Sequence, residues 1–213
     1  MINRIKHFIH TQKSKLTTFC DQTIVSGTNF LSGILLTRVL GIESYGSYAI
    51  AFLFVLFCSS IHQAFIISPM LSLGAKKDDK TKAAYFGTML SQQILFCILA
   101  MAVSFLIIKV STTIAPEWNI SSLDNILPLS IGAYLMHDYF RKTFYVKQEA
   151  SKALIIDIIA YGCQWIALIY LSYMDLLSIA NTYAVLCISF AIASIYAFFQ
   201  HEKIYIEKTY FKA

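Results

Sequence analysis

The chain has 213 residues, 57% hydrophobic, only 14% charged, with a net charge of +5. A soluble domain carries about a quarter charged residues, so this composition excludes an ordinary water-soluble fold. The basic residues form no long run of the kind that tracks a phosphate backbone, which argues against a nucleic-acid partner.

Residues 1–19 read as a basic, weakly amphipathic cytoplasmic arm lying on the membrane surface, with Ile2, Ile5, Phe8 and Ile9 to one side. No short apolar stretch with a small-residue cleavage site follows, so the arm is expected to be retained rather than removed as a signal peptide. Six apolar blocks then occupy about 20–42, 46–73, 86–108, 124–141, 154–174 and 176–199. Each is close to the roughly 20 helical residues needed to cross about 30 Å of hydrocarbon. The expected fold is an all-α integral membrane protein, a bundle of about six transmembrane helices over 20–200, followed by a basic cytoplasmic tail at 201–213. Pro69 near the end of the second block is expected to kink or stop its helix, whereas Pro128 at the start of the fourth costs little. Trp118, between blocks three and four, suits an interfacial anchor. The five cysteines show no C-x-x-C spacing and read as small packing or lipid-facing residues.

Orientation follows from the connections. Fifteen of the 17 Lys and Arg residues fall in the arm, the second and fourth loops and the tail; only Arg38 and Lys109 lie toward the other side. The positive-inside rule then places both termini in the cytoplasm, with an even number of spans.

Polar residues at membrane depth cost a few kcal/mol each and call for a reason. In the first block Gln22, Ser26, Asn29, Gly33, Thr37 and Gly41 recur at steps of three or four, forming a stripe that faces either a packed neighbour or a cavity. Arg38 beside it either snorkels to headgroups or reaches inward to an anion. His62 and Gln63 in the second block suit an interhelical hydrogen bond or a proton relay. In the fourth, Tyr134, His137 and Arg141 share a side, and Asp138 is spaced to pair with Arg141 or Lys142. Asp157, Tyr161 and Gln164 give the fifth block one polar face. The third and sixth have weaker stripes, led by Gln92 and Gln93, and by Asn181.

The segment Arg38-Val-Leu-Gly41-Ile-Glu-Ser-Tyr45-Gly46-Ser-Tyr48 resembles the pattern R-x-L-G-x-x-x-[FY]-G-x-[FY] of polysaccharide-export flippases, the O-antigen translocase (Wzx-like) branch of the MATE-like superfamily. Asp138-Tyr-Phe-Arg141-Lys-Thr-Phe, followed by a basic loop and Asp157, is a second match. The resemblance covers the first half of a typical member. It implies one lobe of a MATE-like transporter in the bacterial cytoplasmic membrane. The implied activity is the passage of a lipid-linked oligosaccharide (an O-antigen, capsule or exopolysaccharide repeat unit) between leaflets by alternating access. Substrate contacts would fall to Arg38, Asn29, His62, Gln63, His137, Arg141 and Gln164, and ion coupling to Asp138 and Asp157. The expected partners are the lipid bilayer, the lipid-linked oligosaccharide, and a second lobe supplied by a homodimer or another subunit. No cofactor or metal is called for. A truncated or non-transporting subunit, a multidrug-exporter relative, and a membrane-embedded enzyme acting on a lipid or its sugar stay open. The enzyme reading lacks an H-E-x-x-H or D-D-x-x-D motif.

Overall fold

In a computed structural model, which describes residues 2–74, 76–114 and 121–200, the chain is all-helical, with no strand among the described residues. The elements are α1 (Ile2–His62), a π-helical turn (Gln63–Ile67), α2 (Ser68–Gly74), α3 (Asp79–Ile114), a 3-10 turn (Ser121–Leu123), α4 (Ile126–Val146), α5 (Ala150–Tyr173) and α6 (Ile179–Gln200). Four stretches are long and apolar enough to cross a membrane: Leu16–Gly74, Thr81–Ile114, Ala150–Tyr173 and Ile179–Gln200. α4 also reaches 21 residues, but carries Asp138, Arg141 and Lys142. Trp118 and the basic tail lie outside the described residues, as do the side chains of the arm through Lys15.

α1 is not one rod. Gly41 breaks it with φ 79° and ψ 167°, a backbone conformation open essentially to glycine alone. Asp21 bonds Arg141, while Gln63, 42 residues further on, bonds Asp138, three residues from Arg141 on α4. A straight helix would hold Asp21 and Gln63 about 63 Å apart. The chain therefore folds back at Gly41, and an added Cβ at Gly33 would lie 3.3 Å from the Tyr45 hydroxyl across the elbow.

The first arm of α1 runs alongside and parallel to α5, with Asp21 near Asp157 and Ser32 near Gln164. The second arm runs antiparallel to α3, with Cys58 beside Ser104 and His62 beside Gln93. Pro69 does not end this arm. The chain instead widens by one turn, the Ser68 amide reaching the Gln63 carbonyl, and continues helical to Gly74. A proline lacks the amide that would close the normal turn, and the π turn absorbs the misfit. Pro128 sits in the first turn of α4, where no such bond is lost.

α4 is the most enclosed helix and packs on α3, α5 and α6. Its ends are tied by Ser130 Oγ donating to the Tyr183 carbonyl at 2.8 Å and Tyr139 OH donating to the Phe86 carbonyl at 3.3 Å. Gln148 and Asp175 take left-handed backbone at the α4–α5 and α5–α6 reversals. There the Glu149 amide reaches Phe144 O and the Leu176 amide reaches Leu171 O, satisfying helix-end carbonyls. The apolar core runs along α4 in two connected stretches, one around Ile131, Leu135 and Tyr183, the other around Phe86, Tyr139 and Phe144. Outward sides of α3, α5 and α6 carry exposed Leu95, Leu99, Ile166, Ile188 and Phe199, as lipid contact requires. Of the cysteines, Cys58 and Cys97 are buried and Cys20 is exposed, and all five are free.

Candidate functional site: two buried polar networks on one helix

Two polar networks grow from adjoining faces of α4. The first centres on Arg141. Its Nη2 donates to Asp21 Oδ2 at 2.5 Å, and its Nε lies 2.7 Å from Asp157 Oδ2. His137 Nε2 is 3.1 Å from the other oxygen of Asp157. Tyr145 OH donates to Asp21 Oδ2 at 2.5 Å, and its ring lies under the guanidinium, 5.8 Å from the centroid. Both aspartate side chains are fully buried, so three helices converge here: α1 supplies Asp21, α4 Arg141, His137 and Tyr145, and α5 Asp157. The His137 ring rests on Phe190 at 4.9 Å, which fixes its direction.

The charges are one guanidinium against two carboxylates. With His137 neutral the group sums to −1, and a proton on its ring brings the sum to zero. Buried charge is tolerated only when paired, so the four groups are one electrostatic unit.

The second network lies one turn away. Gln63 Nε2 donates to Asp138 Oδ2 at 2.7 Å. Gln93 Nε2 donates to the Leu135 carbonyl at 3.1 Å, which leaves its Oε1 to face His62 Nε2 at 2.7 Å. That amide orientation makes His62 Nε2 the donor, so Nδ1 is the ring nitrogen turned toward Asp138, 3.7 Å away. Three helices are again joined, the second arm of α1, α3 and α4. Replacing Gln93 by leucine will orphan the His62 N–H, while the Leu135 carbonyl keeps its own helical bond within α4. A loss of about 1–3 kcal/mol is expected, read as a lower midpoint in thermal unfolding of the detergent-solubilised protein. A Gln93→Glu change, keeping an acceptor toward His62, will cost less if the ring then takes a proton.

The sequence-derived residues thus divide. His62, Gln63, His137, Asp138, Arg141 and Asp157 come together within the bundle interior. Gln164 is also buried and donates to Ser32 Oγ at 3.5 Å, tying α5 to the first arm further along. Asn29 and Arg38 lie apart from these, each exposed, on different faces of the first arm. The i,i+3 pairing of Asp138 with Arg141 does not form: Asp138 is held by Gln63, and Arg141 turns to Asp21 and Asp157. Asp21 and Tyr145 escape a sequence reading. The available signal for Asp21 was a lone acid opening an apolar block, with no basic residue one turn away to balance it.

Chemically the networks can hold helices in register and can accept a proton. Among the described residues no group of three or more His, Cys, Asp or Glu is arranged to hold a metal ion. The four long apolar stretches and the interior pairing of charges define the class, an all-helical, membrane-embedded protein. No protein-family model, no curated protein and no solved structure matches the chain.

Proposed function

We propose that this chain is one lobe of a translocator that carries a lipid-linked oligosaccharide across the bacterial cytoplasmic membrane by alternating access. In this reading the elbow at Gly41 makes α1 two spans, and α3, α4, α5 and α6 complete six. Both termini then face the cytoplasm, as the distribution of Lys and Arg requires.

The observation that carries the reading is the polar side of the first α1 arm. Gln22, Ser26 and Asn29 are exposed at membrane depth and make no hydrogen bond among the described residues. Hydrocarbon offers them nothing, so a polar path or a second lobe belongs against this side. A glycan has the hydroxyl groups such a surface would bind, and its lipid tail can stay in the bilayer. Arg38, near the elbow, supplies a cation for the phosphate groups between lipid and sugar. The segment that resembles the flippase pattern, Arg38 through Tyr48, spans this elbow.

In proteoliposomes holding the active assembly, a fluorescent polyprenyl-diphosphate oligosaccharide will become accessible to an impermeant quencher on the far side. The Arg38→Ala variant will slow this by about tenfold, the worth of one charge-assisted contact. Equal rates in both would remove Arg38 from the path; no transfer in any assembly would remove the translocator reading.

A second reading, a non-transporting membrane subunit, is favoured by the engagement of Arg141, Asp21 and Asp157 with one another. It expects substitutions at Asn29 and Arg38 to be silent in transport.

A further inference from the structure

We infer that the groove between α3 and α6 seats one acyl chain of an anionic phospholipid from the cytoplasmic leaflet, its phosphate resting on lysines at the groove's end. The inference takes its leaflet from the orientation proposed above.

α3 and α6 both pack on α4 and leave an open groove of about 250 Å³ between them, over Phe140. Leu90, Phe140 and Ser194 form its floor and are buried, while Ile94, Ile195 and Phe199 form its walls and are exposed. Ser194 donates its hydroxyl to the Phe190 carbonyl, so the groove presents an apolar surface. Inside a bilayer the matching occupant is a hydrocarbon chain.

Charge at the groove's end selects among lipids. Phe86 precedes Leu90 by one turn of α3, and Phe144 follows Phe140 by one turn of α4, so the aromatic floor continues toward the helix ends. Three lysines from the α2–α3 and α4–α5 reversals stand on this cluster. Lys147 Nζ lies 5.1 Å from the Phe86 centroid and Lys152 Nζ 5.7 Å from that of Phe144. Lys77 Nζ lies 5.4 Å from the centroid of Tyr85, whose ring meets Phe86 edge-on at 5.6 Å. All three rings are buried, so each lysine stem packs on carbon and its ammonium is held in place.

The neighbouring acids cannot neutralise this end. Residues 76–82 and 142–152 hold seven lysines against Asp78, Asp79 and Glu149, which leaves four positive charges over whatever pairs form. The pair of Lys152 with Glu149, at 2.8 Å, is one of these. A phosphate attached to a chain in the groove reaches this end. A lipid of net negative charge meets the excess better than a zwitterion, whose own ammonium is repelled.

The test titrates the purified protein in detergent with phosphatidylglycerol or phosphatidylethanolamine of matched chains, and counts retained lipid by native mass spectrometry. The wild-type protein is expected to hold one phosphatidylglycerol about tenfold more tightly than phosphatidylethanolamine. Lys147→Gln will reduce that preference about fivefold, as the loss of one lysine at a charged headgroup requires. Ile195→Trp, and independently Ile94→Trp from the facing wall, will obstruct the groove and lower retention of both lipids. Ile166→Trp, on an exposed apolar side of α5, will change neither. Equal retention of the two lipids by the wild-type protein, or a preference untouched by Lys147→Gln, would overturn the headgroup site. Retention unaffected by both groove tryptophans would overturn the groove. A dimer that both tryptophans dissociate, holding no lipid, would give the groove to a second copy and overturn the proposal as well. Lipid retention requires no transport, so it can fail while the translocator reading stands, and translocation can fail in a protein that keeps its lipid.

Discussion

Replacing Arg141 by methionine will destabilise the protein more than any other single side-chain truncation in the bundle. The guanidinium is the only permanently charged cation in contact with Asp21 and Asp157 among the described residues, and both carboxylates are fully buried. Methionine keeps most of the volume, so packing is not the issue. What remains is two carboxylates in a low-dielectric interior, with the Tyr145 hydroxyl on Asp21 and the His137 ring beside Asp157. Removing one partner from a buried ion pair costs about 3–5 kcal/mol. The expected readout is a large fall in the thermal midpoint of the detergent-solubilised protein, or loss of folded protein from the membrane.

The same reasoning predicts a rescue. Converting Asp21 and Asp157 to asparagine in the Arg141→Met background removes the charges that need a cation, and should recover much of the lost stability. Arg141→Lys will recover less than its charge suggests. A lysine ammonium cannot bridge two carboxylates with the fixed fork of a guanidinium. If Arg141→Met melts with the wild-type protein, the ionic unit does not hold these helices together.

The second large effect is expected at Gly41. Its φ of 79° with ψ near 167° lies where an L side chain collides with its own backbone, although open space surrounds it. An alanine there will cost about 1–3 kcal/mol through backbone strain alone. The alternative open to the chain is to straighten α1. That would carry Gln63 away from Asp138 and Tyr48 away from Tyr183, whose hydroxyl donates to the Tyr48 carbonyl at 2.9 Å. Gly46→Ala is the control, since this glycine also has nothing within 4 Å and lacks the positive φ. Thermal unfolding should separate the two variants clearly. Comparable midpoints would mean that the elbow is imposed by the packing around it and not by the glycine.

How far the sequence could be read depended on the range of the forces involved. Composition and block length determined the membrane environment and helical class, because a helix in hydrocarbon satisfies its own backbone within one segment. The Pro128 position was legible for the same local reason, whereas Gly41 read only as the last member of the polar stripe and its elbow came from the fold. The outcome at Pro69 was not, since whether a helix stops or widens into a π turn depends on what packs against it. The polar stripe from Gln22 to Gly41 was visible as a period of three to four, but not which way it faces. Only the placement of α5 decides that: Asp21, Thr28 and Ser32 are buried, while Gln22, Ser26 and Asn29 remain outside.

Partner choice was the least legible of all. Spacing alone paired Asp138 with Arg141, because i,i+3 neighbours meet on any isolated helix. In the folded chain Arg141 instead finds Asp21, 120 residues away, and Asp157. Two buried carboxylates attract a guanidinium more strongly than one neighbour at the helix surface, and no local rule contains that competition. The sequence by itself determined which residues must find polar company inside a membrane; the tertiary structure decided who keeps it, because long-range pairing of buried charge is settled only when helices distant in the chain are brought together.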